Sequence, residues 1–499
     1  MKLFSSQFAI PILLVLFAVS VGAQQPAKIR FEMSDAALAR IREDFKIKLD
    51  QSLTKAKIAG ATVAFVLADG RHAEFAAGVR DLETRVPLQP DDPMFAGSIG
   101  KTFVAATTLQ LVSEGKLSLD EKISRWLGDR LWFAKLPNGS DITLRMLLNH
   151  SSGIPNHVDE KNFFKTAEKE ADRDIKYEDL LTFILGKPAP FPAGKGYNYS
   201  DTNYILIGLV VEKVTGNTLY DEIGKRFIKP LGLTHTFPSN TRNAPIVVGY
   251  FENKPAFKSG RFFVNPQWEW AGGGFASTPG DLALWATKLY SGNVLNKEMF
   301  DQMLSSTTVG EGKDYGLGVE IYHTKWGTAL GHDGEFPGYL SDMRYYRDYG
   351  FAIAVQINSD QTPEGNSFMS SAADDFAQLL IEEAGGNKLS PAQAAEFRQI
   401  SEAWLALIDA GELADSWDGI STELKAKFAK QAWPDALGGL LKKAGRFDKR
   451  SFKSAVLSSP EQAVVDFESS FSKAKLATET IYLKRETDGK WHVSSYSIH

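Results

Sequence analysis

The sequence predicts a mixed α/β (α+β) chain: one antiparallel sheet flanked by helices, interrupted by an all-helical subdomain, and followed by a small α+β domain. Three observations carry this. Strand patterns occur near the start and return between 316 and 358. The roughly two hundred residues between them read mainly as helix and loop. A composition break, Ala384-Gly-Gly-Asn-Lys-Leu-Ser-Pro391, then precedes a second, shorter run of helix and strand.

A chain of 499 residues suggests two or three domains. The leader, residues 1–23, carries Lys2, an apolar stretch from Phe8 to Val19 and the small residues Val21-Gly22-Ala23. That is the layout of a secretory signal, with cleavage expected after Ala23, and it is too short to span a bilayer as a stable helix. The expected product is secreted or periplasmic, with no stable membrane insertion after signal cleavage. There is no cysteine, so the fold rests on burial alone, and thiol nucleophiles, thiolate metal sites and a lipidated cysteine are excluded.

Residues 24–385 form the expected main domain. A helix is predicted over Ile29 to Lys55. Ala61 to Leu67 and His72 to Gly78 flank Asp69-Gly70, a hairpin signal between β-rich runs. A buried helix follows over Phe103 to Val112, ending near Gly115, and another spans Thr202 to Thr215. Strands are predicted at 316–323, 327–332, 339–346 and 351–358, with a covering helix at 367–383. Residues 386–391 read as a linker. In 392–499, Phe397, Ile400, Trp404 and Ile408 recur at helical spacing, and strands follow at 463–467 and 491–496. A net charge of -5 excludes an electrostatic attraction to nucleic acid. The expected partner is a small-molecule or peptide substrate.

The chemistry centres on Ala96-Gly-Ser-Ile-Gly-Lys-Thr102. A phosphate-binding loop is excluded because Phe95 stands where its first glycine belongs. A nucleophile elbow would need a preceding strand, and the proline-rich stretch 86–93 does not supply one. Ser98-x-x-Lys101 needs only a helix start, which puts hydroxyl and amine on one face as nucleophile and base. Alone, the pair also fits a capping serine and a snorkelling lysine. Tyr199-Ser200-Asp201 precedes the helix at 202: a tyrosine there can serve as base if cations hold its phenolate, and Asp201 can orient substrate or merely cap the helix. Gly331-His332-Asp333-Gly334-Glu335 is expected to end a strand, with His332 able to supply a proton or positive charge. His150 reads as structural. Phe262, Phe263, Trp268 and Trp270 fit either an acyl pocket or ordinary core.

Taken in order, Ser98-x-x-Lys101, Tyr199-Ser-Asp201 and His332-Asp-Gly334 resemble the three signature elements of serine β-lactamases and penicillin-binding DD-peptidases. The likeness is to the class C-like branch that also holds esterases and D-aminopeptidases. Residues 147–154 and 271–278 look like the same branch, and the likeness runs from about Ile29 to Glu383. It implies acylation of Ser98, proton transfers shared by Lys101 and Tyr199, and an oxyanion hole from the backbone N–H groups of Ser98 and Glu335. It also implies substrate contacts from Asp201, Asp333, Gly334 and Glu335, and neither metal nor organic cofactor. His332 and Asp201 depart from the lysine and asparagine usual in β-lactamases. With Asp333 and Glu335 close by, a carboxylate-bearing β-lactam would meet weak attraction. Three alternatives stand beside this expectation: a non-catalytic cell-wall peptide or penicillin binder, a class C-type β-lactamase, and an elbow-type hydrolase using Ser98 and His332. The C-terminal region is similar to a small domain family of unknown function.

Overall fold

The computed structural model describes residues 33–170, 174–240, 246–251, 254–258, 261–310, 312–360, 363–384, 389–459, 461–474 and 477–498. The expected leader at 1–23, the start of the first helix at 29–32 and linker residues 386–388 lie outside the described residues. No helix among the described residues is long and apolar enough to cross a membrane.

The first helix, α1 (Asp35–Ala56), is capped by the Ser34 side chain, which accepts from the Ala37 N–H. Two strands follow as an antiparallel hairpin, β1 (Gly60–Val66) and β2 (His72–Gly78). The helical region contains α2 (Gly100–Ser113) and α3 (Asp201–Thr215). After it, α4 (Pro279–Tyr290) returns the chain to the sheet. The other strands of the main sheet are β3 (Thr307–Gly310), β4 (Lys313–Tyr315), β5 (Glu320–Thr324), β6 (Gly327–Phe336), β7 (Tyr339–Tyr346) and β8 (Phe351–Ile357). Among the described residues they form an eight-stranded sheet in the order β3-β4-β5-β6-β7-β8-β1-β2, closed by β1 pairing with β8. The helix α5 (Pro363–Glu383) covers one face.

Alternation along the strands sorts side chains between two cores. Ala64, Val66, Leu330, Met343 and Ala354 join the core shared with the helical region. Val63, Phe65, Ala329, Ile353 and Val355 face α1 and α5. Phe45 of α1 is fully buried there, its ring 4.8 Å from Phe376 and 5.1 Å from Phe65.

The structure moves two predicted boundaries. Residues 316–319 turn rather than extend: Gly316 N–H donates to Val319 O, Gly318 has φ +72°, and a Cβ on Gly316 would lie 2.2 Å from Met303 O. The strand through His332 continues to Phe336, because residues 333–336 pair with Asp342 to Tyr339. The Gly331 to Glu335 stretch is therefore strand interior, not strand end.

The C-terminal region packs α6 (Pro391–Asp409) and α7 (Trp433–Ala444) on a four-stranded antiparallel sheet, β9 (Phe447–Ser459), β10 (Gln462–Phe471), β11 (Ala477–Arg485) and β12 (Trp491–Ile498). Its own core holds Trp404, Ile408, Trp433, Val465 and Ile481. Val456 and Val464 join the core of the main domain, and Lys325 reaches Asp466 at 3.5 Å.

The start of α3 is tied down by a buried histidine. Thr202 Oγ1 accepts from the His157 N–H at 2.9 Å and lies 3.0 Å from His157 Nδ1. Burial holds the His157 imidazole down at about 4, against an ordinary value of 6.5. Between those values the unfolded chain takes a proton that the folded chain refuses, so stability falls as pH drops from 6.5 toward 4, by ~3 kcal/mol at most from this residue. Urea midpoints measured from pH 7 to 4.5 are expected to fall, and His157→Asn is expected to flatten that fall. Parallel curves for the two proteins would contradict the assignment.

Candidate active site

Three segments deliver the site. Ser98 sits in a 3-10 turn, Gly97–Ile99, that runs into α2. Gly97 has φ +53°, and a Cβ there would lie 2.6 Å from Glu335 N, so only glycine lets β6 come this close. Ser341 Oγ donates to Ala96 O at 2.7 Å and fixes the same approach. The α2 helix is locked behind by Phe103 stacked on Trp285, ring centroids 4.1 Å apart, and by Trp285 Nε1 donating to Thr102 Oγ1 at 2.8 Å.

Lys101 is fully buried and its ammonium donates to three groups. They are Ser98 Oγ at 2.9 Å, Asp201 Oδ1 at 2.5 Å and the Gly272 carbonyl. Asp201 opens α3, with Ser200 rather than Asp201 in the capping position, and its own N–H donates to Asn156 Oδ1 at 3.1 Å. Its carboxylate is thus engaged by Lys101 and does not serve as a cap.

The Tyr199 phenol lines the same cavity as the Ser98 hydroxyl and acts on it electrostatically at close range, and its ring centre lies 4.9 Å from Lys101 Nζ. Burial, with the charge of Asp201, pushes this phenol well above its usual range. The resting group therefore keeps its proton, in contrast to the phenolate the sequence reading required. The difference follows first from burial, to which Asp201 adds a negative charge beside the phenol.

His332 is fully buried and lies behind Tyr199, ring centroids 6.3 Å apart. A directed chain of hydrogen bonds sets its proton. Ser200 N–H donates to His150 Nδ1 at 3.2 Å, which leaves His150 Nε2 to donate to Tyr315 Oη at 3.2 Å. Tyr315 Oη then donates to His332 Nε2 at 2.9 Å, and His332 Nδ1 donates to Asp333 O at 2.6 Å. Burial lowers both imidazoles, in keeping with neutral rings. His332 thus presents no proton to the cavity, and His150 is a structural member of the same chain.

Asp333 and Glu335 are exposed and share one side of β6, with buried Gly334 between them. A Cβ on Gly334 would lie 2.0 Å from Ala96 O. Ser98, Tyr199, Asp201, Asp333 and Glu335 line a cavity of about 530 Å³, walled by Phe163, Phe164, Trp268 and Phe336. Trp268 therefore belongs to the pocket. Trp270 is core, stacked on Tyr177 at 3.8 Å, and Phe262 packs on Phe95 at 5.4 Å, outside the cavity lining. A larger cavity of about 920 Å³ between β1, β2 and α4 contains none of the predicted site residues.

Sequence reasoning missed several residues. Glu320 accepts from the Asp333 N–H at 3.0 Å and pairs with Lys313, which also reaches Asp333 at 3.3 Å. Burial pushes the Glu320 carboxyl up, and the Lys313 ammonium with the Tyr322 hydroxyl helps to reverse this. Glu320, His332 and Asp333 offer ligand atoms within 4.8 Å of one another, but a metal ion there would have to displace the Lys313 ammonium. Glu269, also in the cavity lining, has its carboxyl pushed up to about 8 by burial and by Asp201. The signal available for it was a lone acid between two tryptophans.

Comparison with known proteins agrees with this fold. A family model described as Beta-lactamase matches residues 45–378, and one described as a protein of unknown function (DUF4019) matches residues 400–496. Penicillin-binding protein 4* of Bacillus subtilis (strain 168) is 23% identical over 315 residues, 60% of this chain and 67% of that protein. Protein flp of Staphylococcus aureus (strain MRSA252) is 23% identical over 331 residues, 63% of each chain. The chain thus spans about two thirds of the length of these curated relatives. A solved D-stereospecific amidohydrolase from Streptomyces sp. superposes with a TM-score of 0.58 at 26% identity, covering 68% of this chain and 98% of that one. A chain that closes the antiparallel sheet around Ser98, Lys101 and Tyr199, and that this family model matches over more than half its length, belongs to the beta-lactamase family and carries a C-terminal DUF4019 domain.

Proposed function

We propose that the chain is a serine hydrolase that acylates Ser98 with an ester, an amide or a D-amino-acid peptide. One observation carries the reading: Lys101 Nζ stands 2.9 Å from Ser98 Oγ while the Tyr199 phenol lines the same cavity beside that hydroxyl. Nucleophile, amine and phenol are in mutual reach before substrate arrives.

In this reading Ser98 Oγ attacks the substrate carbonyl carbon, and its proton moves into the Lys101 and Tyr199 group. The oxyanion that forms faces the backbone N–H groups of Ser98 and Glu335, each such donor typically worth about 3 kcal/mol. The leaving group departs with a proton from the same pair, and water then cleaves the acyl ester to release the acid and restore Ser98. Asp201 orients the Lys101 ammonium. His332 acts as a positioning residue that holds Tyr315 behind Tyr199, and the faces of Asp333, Gly334 and Glu335 border the bound substrate.

The carboxylates at the cavity mouth disfavour a carboxylate-bearing β-lactam and favour neutral or cationic substrates. The D-stereospecific amidohydrolase similarity supports a D-configured amide. Export by the leader would place this activity in an extracytoplasmic compartment.

Exposure to a fluorophosphonate is expected to add one adduct to the wild type, seen by intact mass, and none to Ser98→Ala; an unlabelled wild type would favour a non-catalytic binder. Lys101→Met is expected to lower turnover of a chromogenic ester on the order of 10³-fold or more, whereas an elbow-type hydrolase would keep most activity. Tyr199→Phe, which keeps the ring and removes the phenol hydroxyl, is expected to cost about 10²- to 10⁴-fold in kcat. A change under threefold would remove the phenol from the mechanism.

A further inference from the structure

Glu269 is a charge-bearing group of the cavity that the acyl-transfer scheme does not use. A Cβ built on Gly273 would lie 2.5 Å from Gly97 O and 2.6 Å from Glu269 Oε2, so the carboxyl reaches the floor of the site, beside the residue that precedes the nucleophile. Its side chain makes no hydrogen bond or ion pair with another residue among the described residues. The nearest cation, Lys101, is spent on Asp201, Ser98 and Gly272, and Lys313 is spent on Glu320 and Asp333.

A half-buried cavity carboxyl without a side-chain partner either keeps its proton or takes a cation that enters the cavity. We propose that Glu269 is a specificity-determining residue whose carboxylate binds the ammonium of a substrate carrying a free amine next to the scissile carbonyl, such as an amino-acid amide or ester or an N-terminal peptide. The inference rests on the acyl-enzyme reading and names its substrate class. The aromatic walls, Trp268 beside Glu269 and Phe163 at 5.1 Å from Trp268, suit an apolar substituent on the same substrate.

The charged and titratable groups around Glu269 set its proton. Asp201 from α3 and Glu335 from β6 oppose ionisation and Lys101 from α2 favours it, and with burial they leave the carboxyl at about 8. At neutral pH the free site therefore holds a proton on Glu269, and an arriving ammonium displaces it to solvent. Affinity for the amine then rises as pH climbs toward 8 and falls again above it, where the substrate's own amine loses its proton.

The test uses D-phenylalanine amide and its N-acetylated counterpart with full-length protein. In wild type kcat/KM is expected to favour the free amine, and Glu269→Gln is expected to lower the ratio of the two values at least tenfold, mainly through KM. Glu269→Asp is expected to recover part of the ratio. Calorimetric titration of Ser98→Ala with D-phenylalanine amide at pH 7, in two buffers of different ionisation enthalpy, is expected to show proton release that is lost when Glu269→Gln is added. This arm needs no turnover, so a failure of the acyl-enzyme reading and a failure of the ammonium site are told apart. A ratio unchanged within twofold, a wild type that prefers the acetylated amide, or amide binding without proton release would each overturn the proposal.

Discussion

A fully buried ammonium governs this structure. Lys101 has no exposure to water, and such a cation survives in a packed core only where charge and hydrogen bonds replace its hydration. Asp201, the Gly272 carbonyl and Ser98 do so, and they come from three distant segments that must meet within hydrogen-bond reach of a single nitrogen. The backbone makes room by omission of side chains: a Cβ on Gly100 would lie 2.9 Å from the Gly273 carbonyl carbon, and one on Gly97 would strike Glu335. The glycine pattern, the start of α3 and the register of β6 are thus consequences of the same constraint.

The identity of residue 201 then decides the charge state around the nucleophile. With a carboxylate there, Lys101 has a full counter-ion, and burial together with the Asp201 charge keeps the proton on the phenol of Tyr199; burial lowers the imidazoles behind it. The cavity mouth carries Asp333, paired with Lys313, and Glu335, which share one side of β6 because strand periodicity brings alternate residues to the same face. Discrimination among substrates in such a site comes mainly from electrostatic complementarity, since the walls are largely apolar and tolerant of shape.

Local signals carried the recognisable parts of this arrangement. The i to i+3 spacing of Ser98 and Lys101, the turn before 202 and the closing of the sheet by early and late strands could all be read from periodicity and turn residues. What escaped was set by tertiary contact. The interior position of His332 depends on pairing with Met343, which extends β6 to Phe336. The turn at 316–319 depends on Met303 O pressing against Gly316. The roles of Glu320 and Glu269 depend on which cations are already taken, and no pattern in a single chain reports that. Trp268 and Trp270, two residues apart, divide between pocket and core for the same reason.

The most direct test of the central claim is a crystal structure of the protein after soaking with a slowly deacylating D-configured ester. The account predicts electron density continuous from Ser98 Oγ to the acyl carbon, with the carbonyl oxygen directed at the backbone N–H groups of Ser98 and Glu335. An acyl group on any other residue, or intact ester held without a covalent bond in a protein that still turns it over, would contradict it.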